Sequence, residues 1–240
     1  MIIYLFSPPS DLSTALMYAF NQRPDTLAMD EPFYGIWLKN TSKKQAFHDE
    51  VLLRMECDDA NKVHDQIEQN ESIKGNVFVK VTMNTVPYVN ESHLSKSHSI
   101  LLINDPAETI VSHSISEPPL TSADLCLEDQ IRIYNWLKKN TQEDPILVDS
   151  NELKRSPDTV LKKICDRLKL PYTNKMLSWP SGPKSIDGFW TQSAYSKVHA
   201  STGFYSLPWT QVARENIPTN LMALYDAALP DYEKLLSNCI

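Results

Sequence analysis

Two stretches of this chain set chemically capable side chains at short spacing. Ser7-Pro8-Pro9-Ser10-Asp11-Leu12-Ser13-Thr14 follows an apolar run and opens a helix. Unpaired amides at a helix start attract phosphate or sulfate oxygens, and the hydroxyls of Ser10, Ser13 and Thr14 add donors. The plainer alternative is local, with Ser10 capping the helix and Ser13 and Thr14 bonding within its first turn. The Walker pattern GxxxxGK, followed by Ser or Thr, is absent. Ordinary ATP or GTP hydrolysis is therefore disfavoured, because the magnesium-phosphate group needs compensating charge. The second stretch is Asp30-Glu31-Pro32-Phe33-Tyr34. A carboxylate such as Glu31 takes a proton from an attacking hydroxyl when burial or neighbours raise its basicity. Alternatively, Asp30 and Glu31 cap the next turn or pair with Arg23 or Lys80.

Other reactive residues are less concentrated. His93, His98 and His113 fall in different expected elements and lack compact ligand spacing, so no metal centre is expected. Trp179, Trp190, Tyr195, Phe204 and Tyr205 supply either an aromatic wall for a flat ligand or a small second core. Ser181, Lys184 and Ser185 add donors beside them. The four cysteines are widely spaced, and Cys126 and Cys165 read as buried thiols rather than metal ligands or a disulfide framework.

These residues need elements to position them. Residues 2–6 (IIYLF) read as a buried strand stopped by Pro8–Pro9. A helix follows with Leu12, Leu16, Met17 and Phe20 on its inner face. Further strands are expected near 27–29, at 77–81, at 99–105 and at 145–150. A helix over 57–73 and another opened by Pro106 through Ser114 lie between them. Thr121 and Asp124 have capping-box spacing, ahead of Leu127, Ile131, Tyr134 and Leu137 on one helix. Ser156-Pro157 opens a helix with Val160, Leu161, Ile164, Cys165 and Leu168 inward. Residues 171–218 read as an irregular cover, and the last helix is expected to kink or break at Pro230. Strands alternating with helices imply an α/β fold: a largely parallel sheet flanked by helices on both faces, in a single domain over 1–240. Ligands of such sheets gather beyond the carboxyl ends of the strands, where 7–14, 30–34, 80–85 and 104–112 converge.

Bulk properties narrow the partners. A net charge of -7 with interspersed signs and no basic tail argues against a nucleic-acid polymer. The opening apolar stretch is far too short to cross a bilayer and lacks the basic region of a secretory signal. A cytoplasmic, non-membrane protein is therefore expected. No feature of the sequence sets an oligomeric state.

Residues 6–34, FSPPSDLSTALMYAFNQRPDTLAMDEPFY, resemble the opening of bacterial and plant sulfotransferase-like P-loop proteins. The resemblance continues through VFVK (77–80), LLINDPAETIVSHS (101–114), PILVDSNELKRSPDTVLKKICDRLKLPY (145–172), MLSWPSGPKSIDGFW (176–190) and KVHASTGF (197–204). It implies a sulfotransferase-like fold. It also implies transfer of a sulfuryl group from adenosine 3'-phosphate 5'-phosphosulfate (PAPS) to a small hydroxyl or amine acceptor. By resemblance, Ser10, Asp11, Leu12, Ser13 and Thr14 would wrap the phosphosulfate. Asn104 and Ser112 fall where the family carries an Arg and a Ser for the 3'-phosphate. Lys184, with Gly188 and Trp190 of its segment, would approach the nucleotide from the far side. Glu31 would act as base, and Lys80 would steady charge on the transferred group. His199 would line the acceptor pocket or pack.

The departures are electrostatic. Ser10, Asp11 and Leu12 stand where relatives place Arg or Lys, and Asn104 replaces the Arg of the RDP block. An arginine fork gives phosphate both charge and paired donors, whereas Asn gives neither charge nor the same reach. Asp11 adds a negative charge near the anion site. The acid and the histidines that usually follow Lys80 in relatives are missing too. The competing expectations are a non-catalytic binding protein on this scaffold, or another transferase or hydrolase with a remodelled phosphate site.

Overall fold

Buried on both faces, the apolar run at the start of the chain becomes the middle strand of a sheet. The computed structural model describes residues 1–41, 45–113, 120–192, 194–207 and 211–240, without the side chains of Asp11 and Gln192. In chain order the elements are β1 (Ile2–Ser7), α1 (Asp11–Asn21), β2 (Thr26–Asp30), α2 (Tyr34–Lys39), α3 (His48–Arg54), α4 (Ala60–Lys74), β3 (Asn76–Thr82), α5 (Glu91–Leu94) and β4 (His98–Ile103). They continue with α6 (Pro106–Ser112), α7 (Ser122–Leu125), α8 (Leu127–Asn140), β5 (Ile146–Asp149), α9 (Ser150–Arg155), α10 (Pro157–Arg167), α11 (Ser196–Ala200) and α12 (Met222–Leu236). Among the described residues the strands pair in the order β2-β3-β1-β4-β5, all parallel. Ser114, the last residue of the helix expected from Pro106, lies outside the described residues, as do Ser193 and residues 208–210 of the expected cover.

Period-two alternation divides the core. Tyr4, Phe6, Leu101 and Ile103 face a layer built by α4, α6, α8 and α12. Ile3, Leu5, Ile100 and Leu102 face α1, α10 and the C-terminal segment. Helices thus cover both faces, as a parallel sheet requires. The described parts of 171–218 include short 3₁₀ turns and α11, whose Val198 packs with Trp179 and Phe204 over α1. This second layer explains why α1 is buried all round, from Leu12 to Phe20, and not along one stripe.

Three local expectations change. The capping box at Thr121 starts only the short α7, because Cys126 adopts a left-handed φ of 59° and separates it from α8. Cys126 is half-buried, whereas Cys165 is fully buried as expected. On α8 Leu127 and Leu137 face inward as expected and are joined by Gln130 and Ile133, while Ile131 and Tyr134 are half-buried against the same core. The buried Gln130 donates Nε2–H to the Leu102 carbonyl at 2.8 Å. Finally, α12 runs through Pro230 without a break in the helix. No described helix is long and apolar enough to cross a membrane.

Candidate functional site

Parallel pairing brings Asp30 level with Lys80, Ser7 level with Thr82, and Ile103 level with Asp149. The carboxyl ends therefore share one rim, and a cleft of about 750 Å³ opens beside it. Its floor is a buried ionic group. Lys80, whose side chain is only 2 % exposed, donates to Asp30 Oδ1 at 3.0 Å, to Glu31 Oε1 at 3.0 Å, and to the Tyr195 hydroxyl. That hydroxyl donates to the Asp30 carboxylate at 2.9 Å, and the Gly188 amide reaches Asp30 Oδ2 at 3.2 Å. Thr82 donates to the free side of Glu31, Oε2, at 3.2 Å. Burial works to strip the proton from Lys80. The carboxylates of Asp30 and Glu31, with Tyr195, outweigh it and hold the ammonium well above its ordinary range. Burial first, and then Asp30, push the Tyr195 hydroxyl strongly up, so it stays an O–H donor.

The backbone sets this group. Glu31 continues the β2–β3 ladder by donating N–H to the Lys80 carbonyl at 3.1 Å, then turns at a φ of 45°, outside the range its side chain prefers. Tyr34 N–H closes the turn onto the Glu31 carbonyl at 2.9 Å. Of the pairings open to Asp30 and Glu31, the structure selects Lys80, while Arg23 binds Asp25 at 2.9 Å.

The first turn is largely self-satisfied. Ser10 Oγ accepts from the Ser13 amide at 3.3 Å, and Ser13 Oγ donates to the Ser10 carbonyl at 2.8 Å. Ser10 and Leu12 line the cleft, and buried Ser13 and Thr14 lie behind it. The Asp11 backbone starts α1, and its side chain lies outside the described residues. Asn104 and Ser112 line the cleft, with Ser112 bonded to its own helix at the Thr109 carbonyl. Lys184 does not line the cleft. Its ammonium sits 4.8 Å over the Tyr18 ring and donates to the Gly182 carbonyl, and burial lowers its pKa. Nearby, Asp187 ties Tyr18 (2.7 Å) to His199 (3.0 Å), so the 184–199 region is pinned onto α1.

The aromatic residues divide. Trp179 and Phe204 are packed into the layer over α1, and Tyr205 is exposed on the surface. Trp190 and Tyr195 line the cleft together with Tyr34 and Trp37. Trp190 stacks on Tyr34 with ring centroids 4.8 Å apart. Its ring lies so close to Gly188 that a Cβ there would sit 2.3 Å from it. Gly188→Ala is expected to push Trp190 off Tyr34 and cost about 1–3 kcal/mol. Near-UV circular dichroism with urea denaturation checks this, and an unchanged aromatic spectrum would refute the packing.

Sequence reasoning missed Lys154 and Lys197, which line the cleft, and the contribution of Ser150. Ser150 and Lys154 are one helical turn apart on α9, a spacing visible in the sequence, although nothing local says which way that face points. Among the described residues that line the cleft, Lys80, Lys154 and Lys197 stand against Glu31 and Glu108, and Asp30 is sealed behind Lys80. Among the described residues no group of three or more His, Cys, Asp and Glu is placed to hold a metal ion.

Over residues 1–231 the chain matches the family described as "Sulfotransferase domain". It is 34 % identical over 237 residues to branched-chain-amino-acid aminotransferase-like protein 1 of Arabidopsis thaliana, covering 99 % of this chain and 42 % of that protein. Protein 2 of the same name and organism is 32 % identical over 234 residues, covering 98 % and 41 %. The chain thus spans less than half the length of these curated relatives. Among solved structures, a sulfotransferase from Alicyclobacillus acidocaldarius superposes with a TM-score of 0.55 at 11 % identity, covering 99 % of this chain and 96 % of that one. The sulfotransferase domain of the Synechococcus PCC 7002 olefin synthase gives 0.53 at 15 %, covering 95 % and 94 %. At such identities the likeness is one of fold.

Proposed function

We propose, for a chain that belongs to the sulfotransferase domain family, a non-catalytic role: it binds a small molecule that is not a polyanion in the cleft and no longer uses PAPS. The observation that carries this reading is the state of Lys80. An ammonium has three protons to donate, and Asp30, Glu31 and Tyr195 take all three. A sulfuryl oxygen would have to displace one of them before Lys80 could steady its charge.

The rest of the donor set also fits PAPS poorly. Two phosphate groups bring several negative charges, which need fixed cations or many amides where water is excluded. Asn104 is neutral, Lys184 leans on Tyr18, and the Ser10 and Ser13 side chains are engaged with each other's backbone. Once Asp30 behind Lys80 is counted, three lysines meet three carboxylates at the cleft, which leaves little net positive charge for a polyanion.

A second reading, sulfuryl transfer from PAPS to a hydroxyl or amine, has one observation in its favour. The buried hydroxyls of Ser7 and Thr14 lack partners at the end of β1 and in the first turn of α1. Ligand oxygens near that turn would satisfy them. Calorimetry with PAPS and its 3',5'-bisphosphate product separates the readings. No saturable heat is expected up to about 1 mM, equivalent to binding weaker than about -4 kcal/mol. Micromolar binding, together with a sulfated product that disappears in Glu31→Gln, would replace the first reading with the second.

A further inference from the structure

We infer that the molecule taken by this cleft carries an organic ammonium group, seated between Glu31 and the Tyr34–Trp190 wall. The inference rests on the binding role proposed above and narrows it to a chemical class.

Asp30, Glu31 and Lys80 form one buried group with two negative charges against one positive. The surplus is not shared evenly. The Asp30 side chain is fully buried, sealed by Lys80, Tyr195 and the Gly188 amide. Glu31 keeps 12 % of its side chain exposed and lines the cleft. The unbalanced charge therefore meets the cleft at Glu31.

Tyr34 lies one turn beyond Glu31 and stacks on Trp190 at 4.8 Å, with Trp37 a further 5.4 Å from Tyr34. All three line the cleft. Aromatic rings attract cations, most strongly Trp, and organic ammonium ions are the ligands that aromatic cages recognise. A hard metal cation would instead need several oxygen ligands, and the rings supply none.

A third observation lies at the far end of the same rim, just after β5. Ser150 lines the cleft, is 2 % exposed, and its hydroxyl has no hydrogen-bond partner. A buried hydroxyl without a partner is costly unless a ligand atom completes it. Lys154, one helical turn along α9, lines the same rim. An acceptor oxygen elsewhere on the ligand would complete Ser150.

Ligand-observed NMR on the full chain at pH 7 tests the class with benzylammonium, its neutral isostere benzyl alcohol, and benzoate. Benzylammonium is expected to bind at least about tenfold more tightly than either control. Glu31→Gln should abolish that preference, because Asp30 and Lys80 then balance. Should Glu31→Gln misfold by circular dichroism, Trp190→Leu serves instead and should cut the preference severalfold. The inference is overturned if the alcohol binds as well as the ammonium, if the preference survives the substitution, or if benzylammonium fails to bind at about 10 mM. A parallel titration with the 3',5'-bisphosphate keeps the two readings apart. Tight nucleotide binding sinks the binding role itself, whereas a silent nucleotide with no amine preference sinks only the ammonium class.

Discussion

Lys80→Met is expected to destabilise the protein by about 3–5 kcal/mol, the usual cost of removing one partner from a buried ionic group. The side chain is nearly isosteric, so little of that loss comes from packing. It comes from Asp30, whose side chain has no exposure, and from Glu31, left without the ammonium between them. Two carboxylates on adjacent residues would then share a site held together by Thr82, Tyr195 and Gly188 alone. Urea denaturation measures the loss. The combined variant Lys80→Met/Asp30→Asn/Glu31→Gln should recover most of it, because no buried charge remains unpaired. A loss below about 1 kcal/mol for the single variant would mean that water already screens the group. In that event Lys80 would be free to meet a ligand, and the case against PAPS would lose its main support.

How much of this could be read from residues alone depended on range. The strands β1 and β4 are short apolar runs bounded by turn formers, and their signal is local. The cap at Ser10 is equally local. The ionic group is different in kind. Asp30 and Lys80 are 50 residues apart, and Tyr195 is 115 beyond Lys80. No periodicity encodes such a meeting. Pairing of Asp30 and Glu31 with Lys80 was one reading among several, and only the β2–β3 register selects it. Lys184 shows the converse. Resemblance aims it at a nucleotide, yet Asp187 and Tyr18 fold its segment onto α1 and turn its charge onto a ring. Trp179 and Phe204 follow the same logic: an aromatic residue in an irregular segment packs wherever apolar surface is nearest, here the outer side of α1.

Acid should weaken the fold through His64, a residue without any motif around it. The ring is 1 % exposed, accepts the Asn90 amide on Nε2 at 3.0 Å, and sits 3.3 Å from the Tyr4 hydroxyl through Nδ1. It also stacks on His93 at 3.9 Å, beyond which Glu68 pairs with His93 at 3.2 Å. Burial first, and then His93, hold the His64 pKa down to about 4 against an ordinary 6.5. An imidazole that accepts a backbone N–H must lose that bond on protonation. The unfolded chain therefore takes up this proton near pH 6.5, while the native protein resists until about pH 4. The stabilisation from a neutral His64 is complete above pH 6.5, falls with acid through this window, and levels off below it. In total it amounts to about 3 kcal/mol. His64→Gln keeps an acceptor for the Asn90 amide but has nothing to titrate. Denaturation midpoints of the two proteins, compared every half unit of pH, should converge by about this amount between pH 6.5 and 4. Parallel curves would show that the ring is protonated as readily in the fold as outside it, and that its burial between Phe33 and His93 exacts no electrostatic cost.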